Sequence, residues 1–245
     1  MKIRSLIMQD YTGNDTTRST VKSSYNEGLR AYMLKIYNYM AAALCVTGVI
    51  AYATANTPAL VNIIYSNTII AYAIILAPFG IVIYLNVRMG KLSVNSMRAW
   101  YFTFAGIMGL SLSSIFIVYT QASIAKTFFI TATVFASMSL YGYTTKKDLT
   151  SMGNFLIMGV FGVIIASIVN IFLKSSGLDF AISILGVLIF TGLTAYDSQK
   201  LKKAYYSLTQ HPEMMAKVAI KGALILYLDF INLMLFLLRF LGDRR

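Results

Sequence analysis

Charged side chains are scarce in this sequence of 245 residues. Asp, Glu, Lys and Arg make up 12% of it, against about 25% in a typical soluble domain. Apolar and aromatic residues make up 58%. Too few polar groups remain to cover a water-soluble surface, so a soluble globular protein is excluded. A disordered chain is also excluded, because disorder requires low hydrophobicity.

Cysteine and histidine are almost absent. The single cysteine, Cys45, lies in an apolar stretch, and the single histidine, His211, lies in a polar connection. One cysteine forms neither an internal disulfide nor a zinc site. One histidine cannot build a metal cluster, and its place in a connection does not suit a Ser–His relay. We therefore expect no bound cofactor and no enzyme.

The sequence does contain seven long apolar stretches. Each is close to the ~20 residues that one helical crossing of a bilayer requires. The stretches cover residues 36–55, 69–87, 99–120, 124–143, 153–173, 180–196 and 218–241. They predict an all-α polytopic membrane protein with one transmembrane domain, residues 36–242. Residues 1–35 form a polar N-terminal tail, and residues 243–245 a short C-terminal end.

Lysine and arginine alternate between the connections. They are frequent in the tail and after the second, fourth and sixth stretches, whereas each connection between these holds one at most. Because basic loops stay in the cytoplasm, the N-terminus is predicted to be cytoplasmic. The pattern also explains most of the net charge of +12 without nucleic-acid binding. Arg239, Arg244 and Arg245 depart from it, but the length of residues 222–241 still favours a full seventh crossing.

Only two acidic residues, Asp197 and Asp229, fall at membrane depth. A carboxylate at the bilayer centre costs about 3 kcal/mol on insertion scales, so such a residue indicates a function unless it only links two helices by a hydrogen bond. Consecutive antiparallel helices usually pack together, so the two carboxylates could meet. Two carboxylates a few ångströms apart cannot both ionise freely, so the pair would hold one shared proton. Such a pair would sense pH.

Polar residues in the last stretch lie on one side of a helix. At 100° per residue, Asp229 shares an arc of about 100° with Gly222, Asn232 and Arg239. This stripe is predicted to face a cavity or a partner helix. An intramembrane aspartyl protease also uses two aspartates, and Tyr196-Asp197 matches half of its signature. The Gly-x-Gly-Asp half is missing, however.

These residues resemble the Bax inhibitor-1 family, the transmembrane Bax inhibitor motif proteins. The specific match is Leu226-Tyr227-Leu228-Asp229-Phe230-Ile231-Asn232-Leu233. Three further segments support it, namely Thr194-Ala195-Tyr196-Asp197-Ser198-Gln199, residues 139–149 and residues 109–114. The resemblance spans about residues 25–242.

The resemblance implies six helices around a central C-terminal helix. It also implies a proton-sensitive calcium leak gated by an aspartate pair, which matches Asp197 and Asp229 here. In relatives a basic residue near the end of the second helix can pair with this site, and Arg88 is the nearest candidate. The short C-terminal end and the bias towards Ile, Lys, Asn and Tyr indicate a bacterial inner membrane.

Two functions remain open. In the first, the proton shared by the two aspartates keeps a calcium path closed. Loss of this proton leaves two carboxylates that repel each other, and Arg88 or Arg239 could then form an ion pair with one of them. Asp197, Asp229, Asn232 and water would then form a weak calcium site that suits a permeant ion. In the second, the aspartates are structural. The protein then binds and regulates a membrane-anchored protease or another assembly through its cytoplasmic tail, residues 1–35, and its helices, as the resemblance implies for some bacterial relatives.

Overall fold

The computed structural model describes the backbone of residues 2–245 and the side chains of residues 26–245. Most of the predicted tail, residues 1–35, therefore lies outside the part whose side chains are described. Within the described residues there is no strand beyond one isolated bridge between Tyr119 and Arg244. The helices are α1 (Lys2–Ala55), α2 (Pro58–Ser66), α3 (Thr68–Arg88), α4 (Val94–Val118), α5 (Gln121–Thr144), α6 (Thr150–Leu173), α7 (Ser176–Leu208) and α8 (Pro212–Leu241).

Seven helices are long and apolar enough to cross a membrane. They are Asn26–Ala55 of α1 and the whole of α3 to α8. The remaining helix, α2, has nine residues and fills the first connection. The predicted class, an all-α polytopic membrane protein with seven spans, is confirmed.

The two helices that carry the aspartates are longer than hydropathy indicates. α7 continues beyond residue 196 to Leu208, and α8 begins at Pro212 instead of residue 218. Lysines lower the hydropathy of these segments, but lysine is a good helix former. Proline is also well suited to the first position of a helix. Asp197 consequently lies inside a helix instead of at its end.

The C-terminal helix, α8, is the most buried span. It packs directly against α1, α4, α5 and α7, whereas α3 packs on α4 and α6 packs on α7. The ring centroids of Phe104 and Tyr227 lie 5.3 Å apart between α4 and α8, and both side chains are fully buried. The central position of α8 is thus built by four neighbours, with α3 and α6 further out.

The C-terminal end lies beside the α4–α5 connection. The backbone N–H of Asp243 donates to Ser123 Oγ over 2.9 Å, and the N–H of Arg245 donates to the carbonyl of Val118, also over 2.9 Å. The connections α3–α4, α5–α6 and α7–α8 lie at the opposite end of the bundle, which we call the basic end. α8 therefore runs the full length of the bundle and is long and apolar enough for a seventh crossing.

Candidate functional site

Asp197 of α7 and Asp229 of α8 meet inside the bundle. Their relative exposures are only 8% and 5%, and their side chains are within hydrogen-bonding reach of each other. Asp229 Oδ2 is buried and has no donor among the described residues. Ionised carboxylates only accept hydrogen bonds, so a proton held between the two groups would supply the missing donor. The structure thus brings the two predicted residues together.

Two glycines bring α7 and α8 close on either side of this pair. A Cβ atom at Gly222 would lie 2.5 Å from Leu201 Cδ2, and one at Gly186 would lie 2.5 Å from ring atoms of Phe236. Each glycine therefore leaves room for a side chain of the other helix, as small residues do between membrane helices. This close packing carries the backbone of α7 near enough to α8 for two short aspartate side chains to meet.

The neighbours of Asp197 along α7 are fixed to α5. Ser198 Oγ lies 2.8 Å from Ser139 Oγ, and Ser139 Oγ lies 2.6 Å from the hydroxyl oxygen of Tyr37 on α1. Gly142 packs against the carbonyl of Ala195, where no Cβ atom would fit. These contacts hold this part of α7 in place, so that Asp197 is turned towards α8.

Gln199 fixes the α5–α6 connection to α7. Its amide nitrogen donates to the carbonyl of Lys147 over 2.7 Å, and its amide oxygen accepts from the N–H of Leu149 over 2.9 Å. Gln199 and Ser139 were not predicted as site residues, although both lie in the family-like segments. Those segments were the available signal for their positions near Asp197.

A second contact of the α5–α6 connection is an exposed ion pair. Lys203 Nζ lies 2.7 Å from Asp148 Oδ1, and Thr150 donates two hydrogen bonds to the same oxygen. Hydrogen bonds from Lys203 and Thr150 lower the pKa of Asp148 to about 2. This carboxylate is therefore ionised at every pH near neutrality.

The three other predicted residues lie away from the pair. Arg88 is exposed at the end of α3, and none of the ion pairs among the described residues includes it. Arg239 forms an ion pair with Asp179 near the start of α7. The amide nitrogen of Asn232 donates to the carbonyl of Leu228 in its own helix over 2.8 Å. None of the three makes a hydrogen bond or ion pair with Asp197 or Asp229.

Lys200 is an exposed cation whose charge reaches Asp197. Its charge interacts with that of Asp197, and Lys200 Nζ lies 5.5 Å from the ring centroid of Tyr196. Among the described residues, no group of three His, Cys, Asp or Glu side chains could hold a metal ion. Because calcium takes six to eight oxygen ligands, the two carboxyl groups would need water for most of the shell.

The fold and the site together define the class of this protein. It is a polytopic membrane protein, a bundle of seven helical spans with a buried carboxyl pair between its last two helices. The family described as "Inhibitor of apoptosis-promoting Bax1" matches residues 29–245. The chain belongs to this family, the Bax inhibitor-1 family, as its motifs indicated.

Bacterial relatives cover nearly the whole chain. An uncharacterized protein of Rickettsia prowazekii is 49% identical over 97% of this chain and 100% of its own length. The inner membrane protein YbhL of Escherichia coli is 46% identical over 89% of this chain and 94% of its own. The uncharacterized protein YrjE of Lactococcus lactis is 35% identical over 89% and 92%, respectively.

Proposed function

We propose that this protein is a pH-sensitive calcium leak channel of a bacterial inner membrane, with its N-terminus in the cytoplasm. The observation that carries the proposal is the contact between Asp197 and Asp229, in which a buried carboxyl oxygen finds no donor among the described residues unless the pair holds a proton. Intramembrane carboxyl pairs are expensive to insert and mark ion or proton pathways. The family and the inner membrane location of the Escherichia coli relative agree with it.

The shared proton closes the path. With one proton between them, Asp197 and Asp229 carry a single negative charge and a hydrogen bond that joins α7 to α8. Loss of the proton leaves two negative charges in contact in a medium of low dielectric constant, where they repel strongly. Because Ser198 and Gln199 fix α7 to α5 and to the α5–α6 connection, the strain falls on the α7–α8 contact.

The deprotonated pair attracts a cation. Lys200 is already placed to interact with Asp197, and calcium entering beside it would replace a few of its waters with carboxylate oxygens. A site with so few protein ligands is weak, and weak sites let a permeant ion leave again. Calcium is therefore the transported ion and not a resident cofactor, and flux is expected to rise with pH.

Calcium entry into proteoliposomes at steps from pH 5 to pH 8 tests the proposal. Wild type is compared with Asp197→Asn and Asp229→Asn, and Asp148→Asn is the matched control because it makes the same change outside the pair. We expect a pH-dependent flux that only the first two variants lose. Equal pH dependence in all four proteins would remove the pair as the gate.

Absence of flux has a different meaning. If no protein exceeds empty liposomes at any pH, the leak is wrong, and the alternative gains support. In that alternative the protein regulates a membrane-anchored protease or stress-response assembly by binding it, and the aspartates only join two helices. Binding of such a partner would then persist in Asp197→Asn and be lost when residues 1–24 are deleted.

A further inference from the structure

The bundle has an open groove between α1 and α5. Within the described residues the backbones of these two helices stay apart, although Tyr37 and Ser139 form a hydrogen bond across the gap. α8 lies behind the gap. The groove has a volume of about 530 Å³. We call it the α1–α5 groove. Its lining includes Met33, Tyr37 and Met40 of α1, Ala136 and Ser139 of α5, and Phe230 of α8.

The length of the α1–α5 groove matches one leaflet of a bilayer. On α5 its lining runs from Ala132, at the middle of the helix, to Tyr143, at its end. At 1.5 Å per residue this is about 16 Å, roughly half of a hydrocarbon core of about 30 Å. The inner end of the groove is formed by Phe230, whose ring centroid lies 5.6 Å from that of Phe135.

The groove carries positive charge where it opens at the basic end of the bundle. Arg30 lines it, is exposed, and takes part in none of the ion pairs among the described residues. Lys202 is also close to this end of the groove. Its Nζ donates to the carbonyl of Tyr143 over 2.6 Å and lies 5.4 Å from the centroid of the Tyr143 ring. The α1–α5 groove is thus apolar over the length of one leaflet and has cations at the basic end of the bundle. It is complementary to a phospholipid with an apolar acyl chain and an anionic headgroup.

We infer that the α1–α5 groove binds one acyl chain of an anionic phospholipid, with the phosphate at Arg30. The chain would extend between α1 and α5 as far as Phe230 of α8, the residue after Asp229. A bound lipid would thus contact α8 at the residue next to Asp229. The inference concerns a lipid site and holds whether or not the protein conducts calcium.

Native mass spectrometry of the purified full chain tests the headgroup. The protein is released from detergent after equilibration with phosphatidylglycerol or phosphatidylcholine. We expect wild type to retain phosphatidylglycerol preferentially, and Arg30→Gln to bind it about fivefold more weakly, the effect of about 1 kcal/mol per basic residue at a membrane surface. Lys91→Gln removes an exposed cation from the α3–α4 connection at the same end and is expected to bind like wild type.

A photoactivatable phosphatidylglycerol with its reactive group on the acyl chain tests the groove itself. We expect labels on Met33 and Met40, and their loss in Ala136→Trp, which fills the groove from an exposed position of α5. An unchanged melting temperature shows that this variant is folded. Labels spread evenly over the outer face of α6 would refute a specific site, as would equal retention of both lipids.

The same spectra report other occupants. A lipid-free dimer that Ala136→Trp dissociates would show that a second copy of the chain fills the groove, and the lipid inference would then be wrong. Equal weakening by Arg30→Gln and Lys91→Gln would also overturn it, because the attraction would then belong to the whole basic end and not to this groove.

Discussion

The hydroxyl oxygen of Tyr227 lies 2.7 Å from Thr47 Oγ1 in the interior of the bundle. Thr47 Oγ1 donates in turn to the carbonyl of Ala105 over 2.8 Å, so Tyr227 is the donor to Thr47. One hydroxyl pair therefore joins α8, α1 and α4. Because Tyr227 precedes Asp229 by two residues, this contact also fixes the position of α8 at the depth of the carboxyl pair.

Replacing Tyr227 by Phe is expected to lower the free energy of unfolding by about 0.6 to 1.7 kcal/mol, the range for hydrogen bonds between membrane helices. The ring still fills its site, so only the hydrogen bond is lost. Thermal unfolding in detergent measures the change, with Tyr72→Phe as the control because Tyr72 is exposed. Equal melting temperatures for the two variants would show that the hydroxyl pair contributes little.

Replacing Asp229 by Asn is expected to hold the gate closed. The amide of Asn donates a hydrogen bond to Asp197 without a proton that can be lost, and it removes the second charge. Calcium flux in Asp229→Asn should therefore stay at pH 8 near the level that wild type shows at pH 5. A flux in this variant that still rises with pH would assign the pH response to another group.

Hydropathy and cost of insertion made much of this fold predictable. Each span is recognisable from its own composition, and Asp197 and Asp229 stood out because carboxylates are rare at membrane depth. The ion pair between Arg239 and Asp179 was not predictable, since it depends on how far α8 is shifted along α7. The extension of α7 to Leu208 was missed because lysines lower hydropathy without breaking a helix.

Asp148 is expected to take no part in the pH response. Hydrogen bonds from Lys203 and Thr150 lower its pKa to about 2, below the ordinary value of about 3.9. Its stabilising effect is thus present above about pH 4 and is lost as the pH falls towards 2. The pH profile of calcium flux in Asp148→Asn should match that of wild type between pH 5 and pH 8. A shifted midpoint would mean that the α5–α6 connection is coupled to the gate.

The contact of Gly142 with α7 predicts a strong steric effect. A Cβ atom at Gly142 would overlap the backbone carbonyl of Ala195, which cannot rotate away, whereas one at Gly222 would meet the flexible end of Leu201. Overpacking of this kind costs about 1 to 3 kcal/mol. We therefore expect Gly142→Ala to be clearly less stable in thermal unfolding than Gly222→Ala.

Gly162→Ala is the matched control for this comparison. It makes the same change inside α6, where a Cβ atom would meet nothing within 4 Å, and alanine is the better helix former. Its melting temperature should equal or exceed that of wild type. Gly142 contacts Ala195, which lies two residues before Asp197 on α7. Gly142→Ala should therefore also alter the pH profile of calcium flux, whereas Gly162→Ala should not. Wild-type stability and flux in Gly142→Ala would contradict the close α5–α7 contact.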